Sequence, residues 1–122
     1  MLEIKTAADI SPYISKIKEL DLPEEMCIVA ESFSGGLVNG WGIYHLADEG
    51  VSVDFVESGG DILLFDGIVR SILFKAMLSG VDKAVFSDVQ GDKFKLLGFV
   101  QNNGKTLDSI SEFLSKCKSC KK

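Results

Sequence analysis

The sequence predicts an α/β fold with a mixed sheet, antiparallel in its first half and flanked by helices. Two observations carry this expectation. Three consecutive segments between Met26 and Glu57 are rich in apolar and β-branched residues and are punctuated by "FSGG" and "DEG", which reads as a meander of strands joined by tight turns. From Asp66 the apolar period then lengthens to that of a helix, and a further strand candidate, "VDKAVFSD", follows it. A strand, a helix and a strand in that order predict a parallel pair joined by a right-handed crossover.

Each element has its own signal. "LEIKT" reads as a short first strand. "SPYISKIKEL" reads as a helix, with Ser11 as N-cap, Pro12 at the first helical position, and Tyr13, Ile14, Ile17 and Leu20 at helical spacing. "MCIVAES", "LVNGWGIYHLA" and "VSVDFVES" form the meander. Simple alternation puts Trp41, Ile43, His45 and Ala47 on one face of the middle strand. In the third it groups Val51, Val53 and Phe55 against Ser52, Asp54 and Val56. Asn39-Gly40 marks a bulge. Ile68, Val69, Ile72, Leu73, Ala76 and Met77 make one helical stripe, with Asp66 placed as its N-cap and Gly80 as its C-terminal stop. "GDKFKLLGF" reads as a short helix ending at Gly98. Phe99 and Val100 begin another strand or an extended segment, and "KTLDSISEFLSKCK" reads as a closing helix with Ser109 and Glu112 at capping-box spacing.

The totals bound the function. One domain over residues 1–115, with a Cys- and Lys-rich tail over 116–122, accounts for the chain. A hydrophobic share of 46% and a charged share of 25% are those of a globule that buries its own core. A net charge of −5 argues against nucleic acid and against an anionic membrane surface. No apolar run approaches the ~20 residues of a membrane span. "MLEIKTAADI" lacks the layout of a signal peptide, so the expected location is the cytoplasm. Three cysteines, an odd number, argue against a disulfide framework.

Two blocks resemble the GNAT-type N-acetyltransferase superfamily. "CIVAESFSGGLVNGWGIYHLADEGVSVDFVE" is similar to that family's second to fourth strands. "GIVRSILFKAMLSGVDKAVFSD" followed by "FKLLGF" is similar to its cofactor helix, fifth strand and closing helix. The blocks run from about Cys27 to Phe99. The resemblance implies an acyl-CoA, such as acetyl-CoA, whose pyrophosphate rests on the unpaired N–H groups at the start of the cofactor helix, where the helix dipole also favours an anion. Carried onto this chain, that seat is Asp66, Gly67, Ile68, Val69 and Arg70.

Read residue by residue, the seat departs from the family's Gln/Arg-x-x-Gly-x-Gly/Ala pattern. In "LFDGIV" only Gly67 matches; Leu64 replaces the polar residue and Val69 brings a branched side chain where the backbone should lie bare. From Val51 to Val69 there are four acidic residues (Asp54, Glu57, Asp61 and Asp66) and no Lys or Arg. A carboxylate capping the helix takes the N–H groups that a phosphate needs. Two like unit charges ~4 Å apart also repel by about 4 kcal/mol at an effective dielectric near 20. Phe94 stands where the family often has a tyrosine that protonates the departing thiolate. Glu57 or Asp54, at the end of the third meander strand, is the candidate general base; the alternative is a solvated strand carboxylate. His45, the only histidine, is a second candidate base, against the plainer reading of a half-buried residue with one satisfied hydrogen bond.

"CKSC" places Cys117 and Cys120 at a spacing that can chelate a metal or cycle between dithiol and disulfide, and the neighbouring lysines favour thiolates. A closed zinc site needs about four ligands, and only Cys27 and His45 remain as Cys or His partners. The other reading is a non-specific tail. Two functions follow: an acyltransferase-like protein whose cofactor site is degenerate, with weak or no acetyl transfer, or a non-catalytic module binding a small molecule or a protein, with a metal- or redox-sensitive tail. Edge strands of so small a sheet can also pair two copies into a homodimer.

Overall fold

A computed structural model describes residues 3–100 and 104–120, with side chains of the last helix described through Ser115. In chain order the elements are β1 (Glu3–Thr6), α1 (Ile14–Glu19), β2 (Ile28–Ser34), β3 (Leu37–Ala47), β4 (Gly50–Glu57), α2 (Ile62–Leu78), β5 (Ala84–Phe86), α3 (Gly91–Leu96), β6 (Thr106–Leu107) and α4 (Ile110–Cys120). The six strands form one sheet in sequence order. All neighbours are antiparallel except β4 and β5, which pair in parallel across the α2 crossover. The mixed α/β sheet is thus the predicted one.

Apolar residues fill both faces of the sheet. On one, α2, α3 and α4 cover Ala30, Tyr44, Val51, Val53 and Val56, with Phe65, Ile68, Ile72, Phe94 and Ile110 buried among them. On the other, Tyr13 and Ile17 cover Cys27, Val29 and Ile43, with Trp41 packed alongside. The long helix lies unusually close to β3 because that strand offers glycines beneath it. A Cβ on Gly42 would meet Ile68 at 2.9 Å and Ile72 at 3.0 Å. Ser32, fully buried on the neighbouring strand, has a hydroxyl with no hydrogen-bond partner among the described residues. Burying such a group costs about 1–3 kcal/mol. Ser32→Ala is therefore expected to stabilise the fold by about 1 kcal/mol, read as a rise in urea midpoint at unchanged slope.

Two bulges set the register. Ser32 pairs with Gly40 and Phe33 with Val38, so Asn39 is the extra residue, as predicted. A second bulge separates Ile43–Phe55 from Tyr44–Val53 and makes Asp54 the extra residue on β4. This one corrects the simple alternation. Beyond Asp54 the faces exchange: Val56 joins Val51 and Val53 beneath α2, while Phe55 crosses to the other face and meets Trp41 with ring centroids 5.8 Å apart.

Several helix ends also differ from expectation. Ser11 does not cap α1; its hydroxyl and N–H both donate to Asp9, and residues Ser11–Tyr13 form a 3-10 turn ahead of the helix. The cap of α2 is Asp61, not Asp66, so the helix begins one turn earlier than predicted. Thr106–Leu107 pairs with β5 as a strand instead of opening the last helix. Ser109 does accept from the Glu112 N–H at 3.2 Å, and Asp82 accepts from the Ser111 N–H at 2.8 Å, so the start of α4 is tied to the loop before β5.

Candidate functional site

The turn between β4 and α2 is where the sequence places an anion seat. Gly59 and Gly60 take positive φ angles of 61° and 86°, which only glycine adopts cheaply, and they reverse the chain in three residues. The polypeptide then enters α2 at Asp61. One oxygen of this carboxylate accepts from the N–H groups of Leu63 at 3.0 Å and Leu64 at 3.1 Å. Glu57 accepts from the Gly59 N–H at 2.9 Å. Three backbone donors of the turn and helix start are therefore held by two of the chain's own carboxylates. Glu57, a candidate base by sequence, is exposed and serves here as a brace of the turn.

The other residues assigned to the seat lie inside the helix. Ile68 and Val69 are fully buried in the core under α2. Gly67 is helical, with no atom within 4 Å of where a Cβ would be. Asp66 pairs with Arg70 at 2.8 Å, four residues along the helix. The Arg70 guanidinium is also stacked on two rings, 5.5 Å from the Phe99 centroid and 5.0 Å from that of Phe113. That cation fastens α4 to α2 through Phe113. Phe94 is fully buried, with Phe86 and Phe65 at 4.7 and 5.5 Å.

Strands β4 and β5 run together only from Val51–Ala84 to Val53–Phe86. The Ser87 N–H makes the last ladder bond, to the Val53 carbonyl at 3.1 Å, and the chain then leaves β4 in a 3-10 turn over Asp88–Gln90. Because the Asp54 bulge shifts the pleat, the next β4 residue whose backbone groups point to this open side is Val56. Both of them are taken by one side chain. Gln90 accepts from the Val56 N–H at 2.9 Å and donates to the Val56 carbonyl at 2.7 Å.

The opposite face of the bulge carries a polar cluster. His45 Nδ1 lies 2.7 Å from one oxygen of the buried Asp54, and the Ser52 hydroxyl donates to the other at 2.8 Å. Burial raises the Asp54 carboxyl above its ordinary range, against the opposing pull of the bonds from His45 and Ser52. Ser52 turns to the carboxylate and makes no bond to the imidazole, so the three do not form the nucleophile–base–acid order of a hydrolase. An Asp-oriented imidazole is suited to moving a proton. Cys27, buried on the same face, has its thiol raised first by burial and then by Asp54, Glu25 and Glu24, which disfavours the reactive thiolate. Nearby, the Tyr13 hydroxyl donates to Glu31, and burial foremost pushes that phenol up.

Cys117 and Cys120 lie outside the residues whose side chains are described, and among the described residues no group of His, Cys, Asp or Glu could hold a metal ion. Among the same residues no helix is long and apolar enough to cross a membrane. A depression of about 200 Å³ at the end of β5, lined by Phe86, Ser87, Asp88, Phe94, Lys95 and Lys105, falls below the ~300–1,000 Å³ of small-molecule sites, and one of about 330 Å³ between Phe99, Thr106, Leu107, Glu112 and Phe113 lies at its lower end.

The sequence reading missed Asp61 as the cap, although Leu64 and Phe65 continue the apolar stripe one turn upstream and Gly-Gly-Asp is a recognisable helix entry. It also missed Gln90, for which no local signal exists.

No protein-family model and no curated protein matches the sequence significantly. Solved structures do match the fold. The ribosomal-protein-alanine N-acetyltransferase from Brucella melitensis biovar Abortus 2308 is 12% identical, with a TM-score of 0.62 over 84% of this chain and 94% of that one. E. coli YhhK bound to coenzyme A is also 12% identical, with a TM-score of 0.62 over 89% and 98%. A Bacillus subtilis acetyltransferase in complex with CoA is 14% identical, with a TM-score of 0.53 over 88% and 93%. The chain has the fold of the GNAT acetyltransferases, the acyl-CoA N-acyltransferase fold.

Proposed function

We propose that this is a GNAT-fold protein whose acyl-CoA site is degenerate, so that acetyl transfer is weak or absent. The observation that carries the reading is the start of α2, where the Asp61 and Glu57 carboxylates accept from the Gly59, Leu63 and Leu64 N–H groups. Structures of this fold with CoA bound make an acyl-CoA the first ligand to test against the geometry. The residues present do not fit it. A diphosphate at this turn would compete with two anions for the same donors. The nearest basic residue along the chain, Arg70, is committed to Asp66 and to two aromatic rings. The His45–Asp54 pair, which could accept a proton from an amine, instead ties β3 to β4 at the bulge. With the seat closed, the scaffold is left to bind a partner or a small molecule that carries no diphosphate.

Calorimetric titration tests this. The protein should give no saturable heat with acetyl-CoA at millimolar concentration. Replacing Asp61 by Gly frees the cap at a cost of only a few tenths of a kcal/mol, and Glu57→Gln removes the second charge. The double variant should bind adenosine 5′-diphosphate, which carries the diphosphate in question, at least tenfold more tightly than the native chain. Micromolar binding of acetyl-CoA by the native protein would show that the carboxylates yield, and the acetyltransferase reading would take first place.

A further inference from the structure

We infer, resting on the proposal above for the class of ligand excluded, that Gln90 is a built-in occupant of an amide-binding slot on β4, and that this side chain alone keeps a pantetheine-type arm from the strand. The geometry points to an occupant because a primary carboxamide offers one donor and one acceptor side by side, matching the N–H and C=O of a single strand residue. Gln90 uses both, at 2.7 and 2.9 Å, on the carbonyl and N–H of a single residue, Val56. A continued β5 would satisfy the same two groups with two of its peptide units, one accepting and one donating. β5 instead ends at Phe86, and the Asp54 bulge turns Val56 rather than Phe55 toward the gap. An extended ligand entering between the parted strands needs two secondary amides, one accepting and one donating, to satisfy these two groups; the pantetheine arm carries two. Val56 has its side chain buried in the core, so an unfilled slot would leave its backbone groups to water alone. Gln90 resides in a 3-10 turn and is itself only partly buried, so the clamp can be released without disturbing a core residue.

The probe is pantetheine, which has no phosphate and is therefore indifferent to Asp61 and Glu57. Amide spectra of the full chain are followed during titration of the native protein, Gln90→Ala and Asp61→Gly. Native protein and Asp61→Gly should show no saturable change. Gln90→Ala should show a saturable shift of the Val56 amide, with apparent affinity at least tenfold above native, and Val56 N–H exchange at least tenfold faster in the free variant. If Gln90→Ala does not fold, Gln90→Asn, one methylene too short to reach both groups, takes its place with the same expected result. A folded variant that shows no shift, or equal binding by native protein and variant, overturns the role of Gln90. Acetyl-CoA binding by the native chain, in contrast, overturns the closed diphosphate seat, so the two failures are told apart.

Discussion

Gly50→Ala is expected to cost at least about 3 kcal/mol of stability. Gly50 opens β4 at a φ of 136°, and a Cβ there would lie 2.2 Å from the Lys83 carbonyl oxygen and 2.6 Å from its carbon. Both are backbone atoms. The same Lys83 carbonyl accepts from the Val51 N–H at 2.9 Å, the bond that starts the parallel pairing of β4 with β5. The loop cannot retreat without losing that register, and Asp82 next to it tethers α4 through Ser109 and Ser111. A matched control sits in the same protein. Gly67 is in the middle of α2 with no atom within 4 Å of its Cβ position, so Gly67→Ala should stabilise by up to about 1 kcal/mol. Urea denaturation of both variants reads the contrast. A loss below about 1 kcal/mol for Gly50→Ala would mean that the close approach of these backbones is not what holds the strand pair.

Phe94→Tyr should destabilise the protein by about 2–5 kcal/mol and confer no acetyl transfer. By alignment this change restores the phenol that GNAT-type enzymes often use as an acid. In the fold it does something else. Phe94 is fully buried, 4.7 Å from Phe86 and 5.5 Å from Phe65 by ring centroids, with Phe99 edge-on at 6.5 Å. An added hydroxyl would have to displace one of these rings or reach the depression that Phe94 lines with Ser87 and Asp88. The ring at this position therefore belongs to the core that fixes α3 beneath the sheet. A tyrosine variant that is as stable as the native chain and acetylates an amine would show that the ring reaches a solvent-filled cleft.

What was legible in the sequence was what repeats locally. The strands of the meander, the body of α2 and the parallel return to β5 follow from periods of 2 and 3.6 and from glycine pairs at turns. Asn39-Gly40 announced its bulge because a small-residue pair interrupts an apolar strand. Asp54 gave a fainter notice: in "VSVDFVE" the alternation breaks only at the adjacent apolar pair Phe55-Val56, and the pairing with β3 shows which residue is extra. That single bulge misassigned Phe55 and Val56 and hid the slot that Gln90 fills. The acidic character of the helix start is readable from charge alone, yet an apolar stripe counted from Ile68 points to Asp66 as the capping carboxylate, one turn past Asp61. Asp66 in fact has an intrahelical partner four residues on, Arg70, a spacing that favours an ion pair over a cap. Gln90 lies 34 residues from Val56, and no window of the sequence connects them.

If the chain's own groups already hold the donors an acyl-CoA would use, the ligand should leave those donors undisturbed. Amide spectra of the native protein recorded against acetyl-CoA up to millimolar concentration test this most directly. The Val56, Gly59, Leu63 and Leu64 resonances should stay in place throughout the titration. Saturable movement of these four together, at micromolar ligand, would contradict it.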